Sequence, residues 1–245
     1  MKMKLLIATA LTVAMTAGAF AADKLKIATE GAYPPFNEKN AAGELIGFDV
    51  DIAKALCEKM NRECEIIAQD WDGIIPGLVN NKYDAIIASM SITDERKQSI
   101  DFAGPYYSSY LGLVAKKGSG LTQETAITKP LGAQRSTVSS NWAEEKAGSR
   151  GDVKLYDTQT AAYEDLKAGR VEVLVSDLLP VVAWLKDNPS YELIGEKIDI
   201  NDKIGIGIRQ KQDTLKASFD KALSEIRADG TYKQISEKYF GVDIF

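Results

Sequence analysis

The sequence predicts an α/β fold of two similar lobes, each a mostly parallel sheet flanked by helices. Three observations predict it. From Lys24 to Ser89 the chain reads strand, helix, strand, helix, strand, the order that builds right-handed βαβ units on a parallel sheet. The pattern then returns: LVNNKYDAIIAS (Leu78 to Ser89) falls in step with LKAGRVEVLVSD (Leu166 to Asp177). Two extended runs, Gly104 to Lys116 and Ile204 to Arg209, cross between the halves. With 245 residues, 45% hydrophobic and 27% charged, the chain has an ordinary globular balance and can make one large domain or two small ones.

Taken in order, Lys24 to Thr29 (KLKIAT) alternates and reads as a strand. Glu30 to Asn37 (EGAYPPFN) carries Gly and two prolines and reads as a loop. Phe48, Ile52, Leu56 and Met60 recur at helical spacing. Glu65 to Ala68 is the next strand, and Asp70 to Asn80 a short helix with Pro76 in its first turn. Asp84 to Ser89 is a continuous apolar strand of the kind buried on both faces. In the second half, Leu131 to Gln134, Val153 to Tyr156 and Val171 to Ser176 read as strands, and Thr158 to Ala168 as a helix. Two helices, about Gln212 to Ala228 and Thr231 to Phe240, close the chain.

Composition excludes several chemistries. There is no histidine, so Ser-His-Asp or Cys-His nucleophile sites and His-ligated zinc are ruled out. Two cysteines are too few for an iron–sulfur cluster. No metal site or cofactor is expected. The net charge of −5 argues against nucleic acid as a partner. Lys2 and Lys4, the apolar run Leu5 to Ala14 and Ala19-Phe20-Ala21 read as a secretory signal over residues 1–21. Export favours a disulfide between Cys57 and Cys64, seven residues apart. It would tie the end of a helix to the start of the next strand.

Candidate site residues sit just past the carboxyl ends of strands, where open α/β sheets bind ligands. Ser89-Met90-Ser91, followed by Arg96, places hydroxyls, free N–H groups and a guanidinium there. Such a set suits a carboxylate, which Arg grips bidentately; the plainer alternative is a surface arginine balancing Asp94 and Glu95. Asp177 holds the matching position in the second half. It is either a counter-charge for a ligand ammonium or the cap of the next helix. Ser136 and Thr137 either donate to the carboxylate or cap a helix. Tyr33 and Trp71 are placed to sandwich a ligand side chain, and Glu30 to meet a positive charge beyond them.

These residues resemble a known family. ATEGAYPPF, GFDVDIAKALC, WDGIIPGL, YDAIIASMSITDER, DFAGPYY and ADGTYKQISEKYF together are similar to the periplasmic polar amino-acid-binding proteins of ABC importers. Within that family they look closest to the lysine/arginine/ornithine, histidine, arginine and opine binders, in which a pair like Cys57 and Cys64 also occurs. The resemblance implies the two-lobed periplasmic binding protein fold (type II) with a two-strand hinge. Lobe 1 would take residues 22–110 and 206–245, and lobe 2 residues 111–205. It implies Arg96 as carboxylate clamp, Asp177 as ammonium acceptor, Ser89 and Ser91 as polar contacts and Thr137 as a further contact to the carboxylate; Met90 and Ser136, beside them in the chain, are also expected at the ligand. Glu30 would contact a basic side chain, and Tyr33 and Trp71 would stack on it. Ser136 stands where a glycine is common. The expected protein is a periplasmic, monomeric, non-enzymatic binder that delivers a cationic amino acid to an inner-membrane permease. The alternatives are an exported dehydratase of aromatic amino-acid precursors on the same fold, and a binder of cystine or a neutral polar amino acid.

Overall fold

A computed structural model describes residues 24–148 and 152–245. The signal sequence expected over residues 1–21 lies outside the described residues. Among those described, no helix is long and apolar enough to cross a membrane.

The first βαβ units form as the residue pattern dictates. Strands β1 (Leu25–Thr29), β5 (Cys64–Ala68) and β6 (Ala85–Ser91) lie parallel in the order β5-β1-β6. Helix α1 (Phe48–Lys59) buries Phe48, Ile52 and Leu56 against them, each worth about 1.5–3 kcal/mol of apolar burial. Gly47 admits the chain to α1 at φ 127, where a Cβ would run into the Phe36 backbone. The disulfide joins Cys57 of α1 to Cys64 at the start of β5. In α2 (Trp71–Val79), Pro76 is the sixth residue, in the second turn rather than the first. Lacking an N–H, it cannot donate to the Asp72 carbonyl, and the helix ends three residues later.

The loop expected over Glu30 to Asn37 is partly ordered as strand. β2 (Ala32–Tyr33), β3 (Asn37–Lys39) and β4 (Leu45–Ile46) form a small antiparallel sheet. The Pro34-Pro35 pair only interrupts it between β2 and β3.

The second parallel unit is β8 (Leu131–Gln134), β9 (Val153–Tyr156) and β10 (Val173–Asp177), in the order β10-β8-β9. Helices α5 (Val138–Ala147), α6 (Gln159–Lys167) and α7 (Leu178–Asp187) accompany it. The crossing strands join the two units into one nine-stranded sheet. They are longer than their composition suggested: β7 runs Ile100–Lys116 and β12 runs Ile198–Arg209. Residues Ile100 to Ser109 of β7 pair with β12, which also pairs with β6; Leu111 to Ala115 of β7 pair with β10. One strand therefore belongs to both units. The remaining elements are α3 (Asp94–Lys97), α4 (Gln123–Ala126), β11 (Tyr191–Leu193) paired with β7, α8 (Asp213–Ala228) and α9 (Thr231–Phe240). Separate apolar cores lie in the two lobes. Phe36, Phe48, Phe219 and Tyr232 pack together in the first, so the tail helix α8 returns there; Leu111, Leu131, Ala143 and Val175 pack in the second.

Candidate functional site

The carboxyl ends of β1, β6, β8 and β10 converge on one cavity between the lobes. Glu30, Tyr33, Trp71, Ser89, Ser91 and Arg96 line it from the first lobe, and Gln134, Thr137, Gln159 and Asp177 from the second. The cleft is closed, with only about 20 Å³ open to the centre of a water molecule, little more than one water needs.

Arg96 is brought there by the short helix α3, capped by Thr93, whose Oγ1 accepts from the Arg96 N–H at 3.2 Å. Its guanidinium does not turn to Asp94 or Glu95. Nη1 donates to the Ser91 carbonyl at 2.8 Å and Nη2 to the Ser136 carbonyl at 3.0 Å. The same group lies 5.3 Å from the centroid of the Trp71 ring, within cation–π range. Burial pulls the Arg96 pKa down, while the charges of Asp202, Glu95 and Asp177 act against that.

The loop after β8 is gripped from across the cleft. Trp71 Nε1 donates to the Ser136 carbonyl at 3.1 Å, and Ser136 Oγ donates to Asp72 at 3.0 Å. Ser136 has φ 59, a left-handed conformation that explains why glycine suits this position. The serine adds a hydroxyl bond between the lobes. Thr137 caps α5: its Oγ1 accepts from Ser140 N–H at 3.1 Å and donates to the Gln134 carbonyl at 2.7 Å.

Two buried carboxylates stand in separate electrostatic neighbourhoods of the cavity. Asp177 opens α7 but makes no capping bond. Instead its Oδ2 accepts the Tyr33 hydroxyl at 2.6 Å, and Oδ1 has no hydrogen-bond partner among the described residues. Burial, joined by the negative charge of Asp202, lifts its pKa to about 7 against the Tyr33 bond and the Arg96 charge. Glu30 accepts from Gln134 Nε2 at 2.7 Å. Burial lifts it too to about 7; the Gln134 bond opposes this, and Asp70 and Asp72 add to it. Both carboxylates are therefore short of positive charge in the closed cleft. An ammonium at one and a cationic side chain at the other would relieve them.

Most of the candidate residues meet here. Met90 does not: it is fully buried and packs with Ile74, Tyr83 and Ile86 in an apolar cluster, because successive strand residues face opposite ways. Ser136 sits at the rim through its carbonyl and hydroxyl rather than on the cavity wall. The hydroxyls of Ser89 and Ser91 go to carboxylates, Asp49 at 2.9 Å and Asp202 at 3.0 Å. The ring of Tyr33 packs on Phe36 with centroids 6.0 Å apart. Gln134, Gln159 and Asp202 were not singled out from sequence. Gln134 ends β8 just as Asp177 ends β10, and that rule alone could have found it. Asp202 comes from a crossing strand, where no local pattern marks it.

With this geometry in view, comparison with known proteins is decisive. Residues 25–242 match the bacterial extracellular solute-binding proteins, family 3. The chain belongs to that family. An L-arginine-binding protein of Pseudomonas aeruginosa is 39% identical, over 100% of this chain and 98% of that protein. The lysine/arginine/ornithine-binding periplasmic protein of Escherichia coli is 34% identical, over 91% of this chain and 90% of that one. A solved structure of an ancestral arginine-binding protein bound to arginine is similar with a TM-score of 0.85 at 37% identity, covering 90% of this chain and 100% of that one. This family 3 protein therefore shares the two-lobed α/β fold of amino-acid-binding relatives that sit outside the cytoplasm, and its Cys57–Cys64 bridge suits that setting.

Proposed function

We propose that this protein captures a cationic L-amino acid, arginine foremost, between lobes made of residues 22–110 with 206–245 and 111–205, and delivers it to an ABC permease of the inner membrane. It acts in the periplasm as a monomer without cofactor, metal or nucleic acid, and catalyses no reaction. The observation that carries this is the opposed charge set of one cavity: Arg96 from the first lobe, Asp177 from the second and Glu30 set apart from both. Arg96 takes the α-carboxylate, Asp177 the α-ammonium and Glu30 the side-chain cation. Names of relatives that bind arginine, lysine and ornithine support the same class.

Binding exchanges partners. The bonds Tyr33–Asp177, Gln134–Glu30 and Trp71–Ser136 cross the cleft, and a ligand enters when β7 and β12 let the lobes part. The ligand then supplies the donors and acceptors that the lobes now supply to each other. Stacking of a guanidinium on Trp71, as the Arg96 guanidinium stacks now, would favour arginine over lysine. Mass spectrometry of ligand released from freshly purified, denatured protein tests the reading: a basic amino acid is expected, and a dicarboxylate or sugar would contradict it. A neutral ligand is the second reading, because a solved ancestral arginine-binding protein holds glutamine. The enzymatic alternative is tested by incubation with arogenate or prephenate, from which no aromatic product is expected.

A further inference from the structure

Ser89 lines the cavity with a backbone that few non-glycine residues adopt, at φ 51. It lies in a distorted part of β6. The β6–β12 ladder joins Met90 to Gly205 and Ile86 to Gly207, with a register shift between them, so Ile87 to Ser89 bulge out of step with β12. A bulge re-aims the residues it contains and is found beside binding sites.

The group that holds this bulge lies behind the cavity and does not line it. Asp49, the second residue of α1, is fully buried. Its Oδ2 accepts from Ser89 Oγ at 2.9 Å and from Asn37 Nδ2 at 2.8 Å, and its Oδ1 accepts the Tyr106 hydroxyl at 2.7 Å. The Tyr106 oxygen in turn accepts the Ser89 N–H at 2.9 Å. One carboxylate thus grips Ser89 twice, directly at the hydroxyl and through Tyr106 at the amide. A position in the first turn of a helix suits the charge. With the Ser89 hydroxyl committed to Asp49 and its N–H to Tyr106, its carbonyl is the polar group that remains for the cavity.

We propose that Asp49 is a positioning residue of the binding site: it sets the left-handed backbone of Ser89, and so the direction of the carbonyl that Ser89 offers the ligand. This rests on the amino-acid-binding reading. The donor pattern makes it testable. Asn37 cannot reverse its amide freely, because its Oδ1 accepts the Gly31 N–H at 2.7 Å. In Asp49→Asn only one of the two oxygens remains: either the new amide nitrogen opposes the Asn37 nitrogen, or it turns to Tyr106 and leaves the Tyr106 hydroxyl without its acceptor. In the exchanged pair, Asn37→Asp with Asp49→Asn, the carboxylate at 37 accepts from the amide nitrogen at 49, whose second hydrogen goes to Ser89 Oγ, and the amide oxygen at 49 still accepts the Tyr106 hydroxyl. Tyr106→Phe removes the second grip and leaves the Ser89 N–H unpaired.

Arginine and lysine are titrated calorimetrically into wild type, both single variants and the exchanged pair, and ligand-free thermal unfolding is recorded for each. Asp49→Asn and Tyr106→Phe are expected to weaken affinity at least tenfold, and the exchanged pair to regain most of the loss. Variants that unfold at lower temperature yet bind within twofold of wild type would make Asp49 a packing residue only and overturn the inference. So would an exchanged pair that folds but binds no better than Asp49→Asn. Should Asp49→Asn fail to fold, Tyr106→Phe decides by the same twofold criterion. A wild type that binds neither amino acid strikes the functional reading instead, since the inference concerns differences among variants of a working site.

Discussion

At the scale of single residues, the site sorts its candidates by charge. Among the described residues the Arg96 guanidinium donates to carbonyls and lies on the Trp71 face, so it can turn to a carboxylate without breaking an ion pair. Because every amino acid carries that carboxylate, Arg96→Ala should weaken all ligands alike, by about 2–5 kcal/mol, or roughly 30- to several-thousand-fold. Near-normal calorimetric affinity in that variant would remove it from the site. Glu30 should instead divide the ligands. Glu30→Gln keeps the size and removes the charge, and should weaken arginine by about 1.5–3 kcal/mol, the scale of a hydrogen bond to a charged group. Glutamine should lose little, since a neutral side chain leaves the buried carboxylate without a cation in any case. Equal losses for arginine and glutamine would mean that Glu30 does not read side-chain charge.

At the scale of elements, the strands buried on both faces and the helix α1 were legible, because their patterns are dictated locally. Ala85 to Ala88 is uniformly apolar up to the site, and Phe48, Ile52 and Leu56 keep helical spacing. The small sheet β2-β3-β4 was not legible: its strands are two and three residues long and carry two prolines between them. The crossing strands were found but shortened. Asp101, Ser108, Asp202 and Lys203 are polar positions that pairing across the sheet, not composition, holds in strand geometry. Of the site, the strand-end residues were readable and the partners that hold them were not, since Asp49 and Asp202 look like ordinary acidic residues in sequence. The disulfide links two of the legible elements, α1 and β5. Replacing both Cys57 and Cys64 by Ser should lower stability by about 2–3 kcal/mol, the chain-entropy value for so short a loop. Denaturant unfolding measures this, and an unchanged midpoint would show that packing alone fixes α1 on β5.

At the scale of the whole molecule, closure brings acids together. Glu30 and Asp177 have pKa values raised to about 7 in the closed cleft, whereas solvent in an open cleft would leave them near the ordinary carboxylate range. The closed form therefore binds protons more tightly than the open one. By linkage, its advantage is present in acid and is lost as pH rises through about 7. The groups that set this balance are Arg96, Asp202 and Tyr33 around Asp177, and Gln134, Asp70 and Asp72 around Glu30. Acidifying ligand-free protein from pH 8 to 5 should reduce its radius of gyration in solution scattering, and Glu30→Gln with Asp177→Asn should abolish the change. A radius that grows on acidification would reverse the argument. A cation supplies from the ligand what protons supply in acid, which is why closure at neutral pH is expected to select basic amino acids. The most direct measurement is calorimetric titration of ligand-stripped wild type at neutral pH with arginine, lysine, ornithine, histidine, glutamine and cystine. The account predicts one site per chain, filled most tightly by arginine and at least tenfold more weakly by glutamine and cystine; a protein that prefers cystine or glutamine, or takes up no basic amino acid, would contradict it.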